Sequence, residues 1–151
     1  MKINEEGLAI IKHYEGCSLA VYRCPSGIPT IGYGSTFDLD GNRITMDHKN
    51  ITTDEAEAYL VRGLRTSENA VARLVTAPLD ANANQFSSLV SFCYNIGAGN
   101  FQASTLRMKL NRSDYFGAAG EFWKWRRGGG KILRGLVNRR REECLLFCMR
   151  L

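Results

Sequence analysis

Glu15 is followed nine residues on by Cys24 and six further on by Thr30, where the run Thr30-Ile31-Gly32-Tyr33-Gly34 begins. A carboxylic acid can protonate a leaving oxygen, and a thiol or hydroxyl can orient or replace attacking water. If the three face one cleft, they meet the demands of glycoside cleavage. An acid then works on one face of the sugar while a second group handles water on the other.

Such a set needs elements that hold it. Asn4 is placed to cap a helix whose first turn carries Glu5 and Glu6, and Leu8, Ile11 and Tyr14 form a narrow apolar stripe until Gly16 stops it. Glu15 therefore falls at the carboxyl end of that helix. The negative end of the helix dipole disfavours a charged carboxylate there and favours the protonated acid that proton donation needs. From Ala20 to about Thr45 the chain turns β-prone, in the pieces Ala20–Arg23, Thr30–Tyr33 and Thr36–Leu39, with turns at Pro25-Ser26-Gly27 and Asp40-Gly41-Asn42. This predicts an antiparallel sheet of about three strands, too small to stand alone. Gly32 and Gly34 in one piece serve either a turn or the close approach of a sugar.

The rest is helical by periodicity. Thr52-Thr53-Asp54-Glu55 is a capping box, and the stripe from Ala56 to Val75 predicts one long helix ending at Ala77-Pro78. Phe86, Leu89, Val90, Cys93 and Ile96 define the most apolar helix, stopped by Gly97. Ser104 caps a short helix, Ser113 or Asp114 caps another running through Phe122 and Trp123, and Gly128-Gly129-Gly130 is a break. A last helix is expected from about Asn138 to Cys148, with Leu145 and Cys148 packed inward and the arginines in water. Phe122 and Trp123 are expected in the core, and His13 and His48 at the surface. The fold class is α+β: a β-rich lobe near residues 16–50 and a helical lobe near 52–151, joined by the long helix, with a ligand cleft between lobes.

With 151 residues, 44% of them apolar, the chain is long enough for one domain with a core. No apolar run approaches the roughly 18 residues of a membrane span, and the first residues lack a signal-peptide pattern. A soluble product that starts in the cytoplasm is expected. The formal charge is +5, and Lys124, Arg126, Arg127, Lys131, Arg134, Arg139, Arg140, Arg141 and Arg150 crowd the last part of the chain. That balance favours a polyanionic partner such as cell-wall polymer, acidic lipid or nucleic acid. The last of these lacks any recognition element. Five cysteines without a Cys-x-x-Cys pair, and only two histidines, argue against zinc. Reduced thiols are expected, with Cys17 and Cys24 able to pair only in an oxidising compartment.

Glu15, Cys24, Thr30-Ile31-Gly32-Tyr33-Gly34, Ser91-Phe92-Cys93-Tyr94-Asn95-Ile96-Gly97, Phe101 with Ser104-Thr105-Leu106, and Gly135-Leu136-Val137-Asn138-Arg139-Arg140-Arg141-Glu142 together resemble the phage-type lysozymes, the endolysins of glycoside hydrolase family 24. The likeness runs along essentially the whole chain. It implies a lysozyme-like fold and a muramidase that cuts the β-1,4 bond between N-acetylmuramic acid and N-acetylglucosamine in bacterial peptidoglycan, lysing the host. Glu15, Cys24 and Thr30 fall on the family's catalytic positions. Gly34, Thr36, Phe92, Ser104 and Thr105 would contact the saccharide, and Arg139, or its neighbour Arg140, would support the acid. No cofactor, metal, nucleic acid or stable membrane insertion is implied. A monomer is expected, held in the host cytoplasm until a holin-type lesion admits it to the periplasmic wall.

Many family members carry aspartate where Cys24 stands. A thiol of ordinary acidity, about 8.5, is mostly neutral near pH 7, so it matches an aspartate only if a cation such as Arg23 or Arg139 lowers it, or if it merely positions water with Thr30. Whether the anomeric centre is inverted or retained stays open at this point. Two other readings compete: a lytic transglycosylase, in which a substrate hydroxyl replaces water, and a non-catalytic peptidoglycan-binding or morphogenetic domain on the same scaffold.

Overall fold

The computed structural model describes residues 1–149; Arg150, counted above in the basic cluster, and Leu151 lie outside the described residues. Two compact units emerge. One is Glu15–Arg65, and the other joins Met1–Tyr14 to the chain from Thr66 onward.

Helix α1 (Glu5–Glu15) begins as its sequence dictates: the Asn4 side chain accepts from Gly7 N–H at 3.0 Å. It ends at Gly16, whose φ of +68° is a left-handed conformation that glycine adopts at no steric cost. Leu8 and Ile11 are buried, as the stripe requires.

In the smaller unit, strand β1 (Ser18–Arg23) pairs antiparallel with β2 (Pro29–Gly32), placing Tyr22 opposite Thr30. The expected third strand is reduced to isolated bridges, Ile31 with Ser35 and Phe37 with Arg43. The cause is the glycine pair: Gly32 at φ +66° and Gly34 at φ +89° turn the chain sharply, so Ser35 bonds straight back to Ile31. Gly32 has a second reason to lack a side chain. A Cβ there would come within 3.3 Å of Ala56 Cβ on helix α2 (Thr53–Gly63), which packs on β2. The Thr52 capping box starts α2 with both reciprocal bonds at 3.1 Å. Ile31, Ile44, Ile51, Leu60 and Leu64 close this unit's core.

The predicted long helix is two. Helix α3 (Arg65–Leu74) follows α2 after Leu64, and the interruption falls beside Gly63, the residue of the stripe with the weakest helix propensity.

The larger unit is built on α4 (Asn84–Ile96), in which Phe86, Leu89, Val90, Phe92 and Cys93 are buried. Fully burying side chains of this size contributes roughly 1.5–3 kcal/mol each. Short helices α5 (Ala98–Ala103), α6 (Thr105–Asn111) and α7 (Tyr115–Ala119) follow, and Asp114 caps α7 through Gly117 N–H at 2.8 Å. The continuation through Trp123 is a separate 3-10 turn, Phe122–Lys124. That change of winding breaks the helical extrapolation: Phe122 stays in the core, but Trp123 is 53% exposed beneath the Arg126 guanidinium.

The triple glycine is not a slack connector. Gly129 and Gly130, at φ +58° and +79°, form a two-residue turn between β3 (Arg127–Gly128) and β4 (Lys131–Ile132). Two consecutive positive φ values are the requirement of the tightest hairpins. Helix α8 (Arg134–Cys148) begins about four residues earlier than expected and packs on α4. Its inward face is also different. Arg139, Arg140, Glu143, Leu146 and Phe147 are buried, while Leu145 and Cys148 are exposed. The arginines go inside because Glu143 and polar atoms of α4 receive them. Among the described residues, no helix is long and apolar enough to cross a membrane.

Candidate active site

The β1–β2 hairpin positions two of the three candidate groups. Its loop runs Cys24-Pro25-Ser26-Gly27-Ile28; Gly27 N–H donates to Cys24 O at 2.7 Å, and Cys24 N–H donates to Ile28 O at 3.0 Å. Gly27 takes φ +83°, which a three-residue hairpin loop demands at its last position. With the backbone of Cys24 pinned at both N–H and C=O, its half-buried sulfur sits 3.1 Å from Ser26 Oγ. Thr30, opposite Tyr22, is buried and donates its hydroxyl to Ile28 O at 2.9 Å.

These contacts change the acidity of the thiol. Cys24 is pulled down to about 7, first by the Ser26 hydroxyl, then by backbone hydrogen bonding at Ile28 and Ser26 and by the Thr30 hydroxyl. Hydrogen bonds do what the sequence argument assigned to a cation. Arg23 points its guanidinium at Gly27 O, 3.0 Å away. The thiol is therefore biased toward its anion near neutral pH, which narrows the gap between cysteine and aspartate.

Glu15, in the same compact unit, places its carboxylate against the turn that follows β2: a Cβ built on Gly34 would lie 3.6 Å from Glu15 Oε2. Acid and thiol thus border opposite ends of the short segment Thr30–Gly34.

The residue before Glu15, Tyr14, marks where charge reaches α1 within the larger unit. Its hydroxyl is pushed up to about 12 by burial and by a hydrogen bond and repulsion from Glu142, against a lowering pull from Arg139. Arg139 is fixed by Glu143 Oε2 at 3.3 Å and by Ser91 O at 3.2 Å. Arg140 bonds Glu143, Asn95 and, at 2.9 Å, Trp125 O. Ser91 Oγ donates to Glu143 at 2.6 Å.

Other sequence candidates fare unevenly. Phe92 is not a lining residue: it is fully buried, with Phe101, Phe122 and Trp125 around its ring at 5.1–6.3 Å between centroids and the Arg140 guanidinium over it. Burial on α4 extends beyond its apolar stripe to this ring. Ser104 is also buried, and its hydroxyl is committed to capping α6 and to Phe101 O at 2.7 Å. Thr105 is exposed, and Thr36 is half-buried on the backbone ladder to Ile44.

Sequence reasoning missed Ser26, which reads there only as a turn residue, and Glu143, which has no role assigned. A hydroxyl two residues after a candidate cysteine, inside a proline–glycine turn, was the available signal for Ser26. For Glu143 it was the i, i+3 and i, i+4 spacing to Arg140 and Arg139. All five cysteines are free thiols, and no cluster of three His, Cys, Asp or Glu suited to a metal occurs among the described residues.

Known proteins share both the sequence and the fold. The family model described as phage lysozyme matches residues 12–143. The endolysin of Acyrthosiphon pisum secondary endosymbiont phage 1 is 38% identical over 97% of this chain and 98% of its own length, and the endolysin of Salmonella phage P22 is 38% identical over the same shares. Among solved structures, a point mutant of P22 lysozyme superposes with a TM-score of 0.89 at 36% identity, over 99% of both chains. A match of this extent and identity establishes both the lysozyme-like α+β fold and the lineage: the chain belongs to the phage lysozyme family.

Proposed function

We propose that this chain is an endolysin muramidase that hydrolyses the β-1,4 bond between N-acetylmuramic acid and N-acetylglucosamine in peptidoglycan. The family and the endolysin names of its relatives support a peptidoglycan-cleaving glycosidase. The observation that carries the residue assignment is the hairpin-bound thiol, poised at about 7 beside Thr30 in the same unit as Glu15.

In this reading Glu15 protonates the glycosidic oxygen as the bond to the anomeric carbon breaks. Water held by the Cys24 thiolate and Thr30 then attacks that carbon, and its proton passes to the sulfur. Gly34, Thr36 and Thr105 contact the saccharide. Arg139 supports the acid through the end of α1, where its charge already acts on Tyr14. The enzyme works as a monomer that reaches the wall through a holin-type lesion, so expression without such a lesion leaves host cells intact.

Clearing of chloroform-treated Gram-negative cells tests the assignment. The unmodified protein clears the suspension and releases free reducing ends; Glu15→Gln lowers the rate about 10²- to 10⁴-fold, the usual contribution of a general acid. Equal clearing by both removes Glu15 as the acid. Anhydro-sugar ends identify a transglycosylase, and no clearing by the unmodified protein identifies a binding module.

A further inference from the structure

We propose that Ser26 is a positioning residue of this reaction, its hydroxyl holding the Cys24 sulfur as the anion that the water-handling step uses. The inference rests on the muramidase reading above and extends it to a residue outside the three candidate catalytic groups.

Three observations carry it. Ser26 Oγ lies 3.1 Å from Cys24 Sγ, within hydrogen-bond reach for sulfur, and that sulfur is the partner of the Ser26 hydroxyl among the described residues. The turn gives the pair little freedom: Pro25 fixes its own φ, Gly27 N–H closes on Cys24 O at 2.7 Å, and Cys24 N–H is tied to Ile28 O. Thr30 does less of this work, because its one hydroxyl proton goes to Ile28 O at 2.9 Å. The weights on the thiol follow that division, with Ser26 the strongest influence and Thr30 the weakest. Arg23 is turned to Gly27 O, Glu15 lies against Gly34, and the main influences on the thiol are hydrogen bonds and burial. A hydroxyl donor is therefore the device by which a thiol here stands in for a carboxylate.

The sign is fixed. A depressed thiol is an anion above about pH 7 and loses that form as the pH falls below it. Without the Ser26 hydroxyl the midpoint moves up toward that of an ordinary thiol.

The test is the rate of Cys24 alkylation by iodoacetamide against pH, resolved by peptide mass spectrometry on the full-length protein. The expected midpoint is near 7 for the unmodified protein and for Ser26→Thr, and clearly higher for Ser26→Ala. Were it to reach 9, the thiolate fraction at pH 7 would fall roughly 50-fold, and lysis with it. A midpoint unchanged in Ser26→Ala overturns the proposal. Lysis in a second background separates positioning from a mere effect on the turn. An aspartate is ionised at pH 7 without help, so Ser26→Ala should slow the Cys24 protein and leave Cys24→Asp unaffected. Equal losses in both backgrounds also overturn the proposal. If instead Cys24→Ala lyses at the unmodified rate while the alkylation shift persists, the muramidase assignment of Cys24 is what has failed.

Discussion

The β1–β2 hairpin and helix α8 each carry a charge, and they hold it by opposite means. On α8, Arg139, Arg140 and Glu143 are at most 2% exposed, and their polar atoms are met by Ser91, Asn95 and the Trp125 carbonyl from other segments. On the hairpin, the half-buried Cys24 is held by hydrogen bonds drawn from within residues 24–30. A buried ion cluster is sensitive to loss of a charged member, because the opposite charge it neutralised stays in a poorly solvated setting. A local set of hydrogen bonds at a half-open site can change the character of one group while the fold stays as it is. Stability thus belongs to α8 and chemical tuning to the hairpin.

The largest expected effect attacks the α8 half of this contrast. Glu143→Ala removes the buried carboxylate that both guanidiniums share and should cost about 3–5 kcal/mol of stability, read as a lowered midpoint in urea unfolding. Cys24→Ala, at a half-exposed loop, should move that midpoint little, within roughly 0.5 kcal/mol, while lysis falls. If the two variants unfold alike, the division of labour does not hold.

A second measurement compares thiols across the same two regions. Cys93 on α4 is raised by burial, and Cys144 on α8 is raised to about 11 by burial and the neighbouring Cys148, whereas Cys24 is lowered to about 7. Each unit of separation is a tenfold difference in thiolate fraction at neutral pH. Iodoacetamide at pH 7 should therefore modify Cys24 well before Cys93 or Cys144, and the preference should shrink as the pH rises above 7, where Cys24 is already ionised and the other two gain thiolate. Cys144 reacting first would mean that the hairpin does not depress its thiol.

The same contrast explains what was legible in the sequence. The cap at Asn4, the stop at Gly16 and the capping box at Thr52 are local, since each is a contact between residues a few positions apart, and all three stand as expected. The apolar stripe of α4 is also local, but burial on that helix extends beyond it to Phe92, whose ring packs against Phe101, Phe122 and Trp125 from later segments. The inward face of α8 was hidden for a different reason. An arginine-rich stretch ordinarily faces water, and the burial of Arg139 and Arg140 draws on Glu143 within α8 together with Ser91 and Asn95 of α4, about fifty positions away in the chain. The split of the long helix falls beside Gly63, and the shrunken third strand turns on Gly32 and Gly34, whose positive φ values their place in the pattern does not reveal. Within the proposed site, Glu15, Cys24 and Thr30 were nameable as candidates from their spacing and the family resemblance. Ser26 was not, because its role depends on how the turn closes.

The smallest effect probes that closure. Gly27 has φ +83°, and a Cβ there would meet nothing within 4 Å, so Gly27→Ala introduces no clash with neighbouring groups. Its cost is backbone strain alone, about 1–2 kcal/mol for an L-residue in the left-handed region. Gly27→Asn should recover part of that loss, since asparagine tolerates the conformation better. The strain is relieved if the loop opens, and opening would draw Ser26 Oγ from Cys24 Sγ along with the Gly27–Cys24 bond. Gly27→Ala is therefore expected to raise the Cys24 alkylation midpoint modestly, by less than Ser26→Ala, with Gly27→Asn between it and the unmodified protein. A stability loss with no change in the midpoint would show that the hydroxyl–sulfur contact survives without the turn that frames it. In that case the tuning of the thiol would reside in Ser26 itself and not in the hairpin.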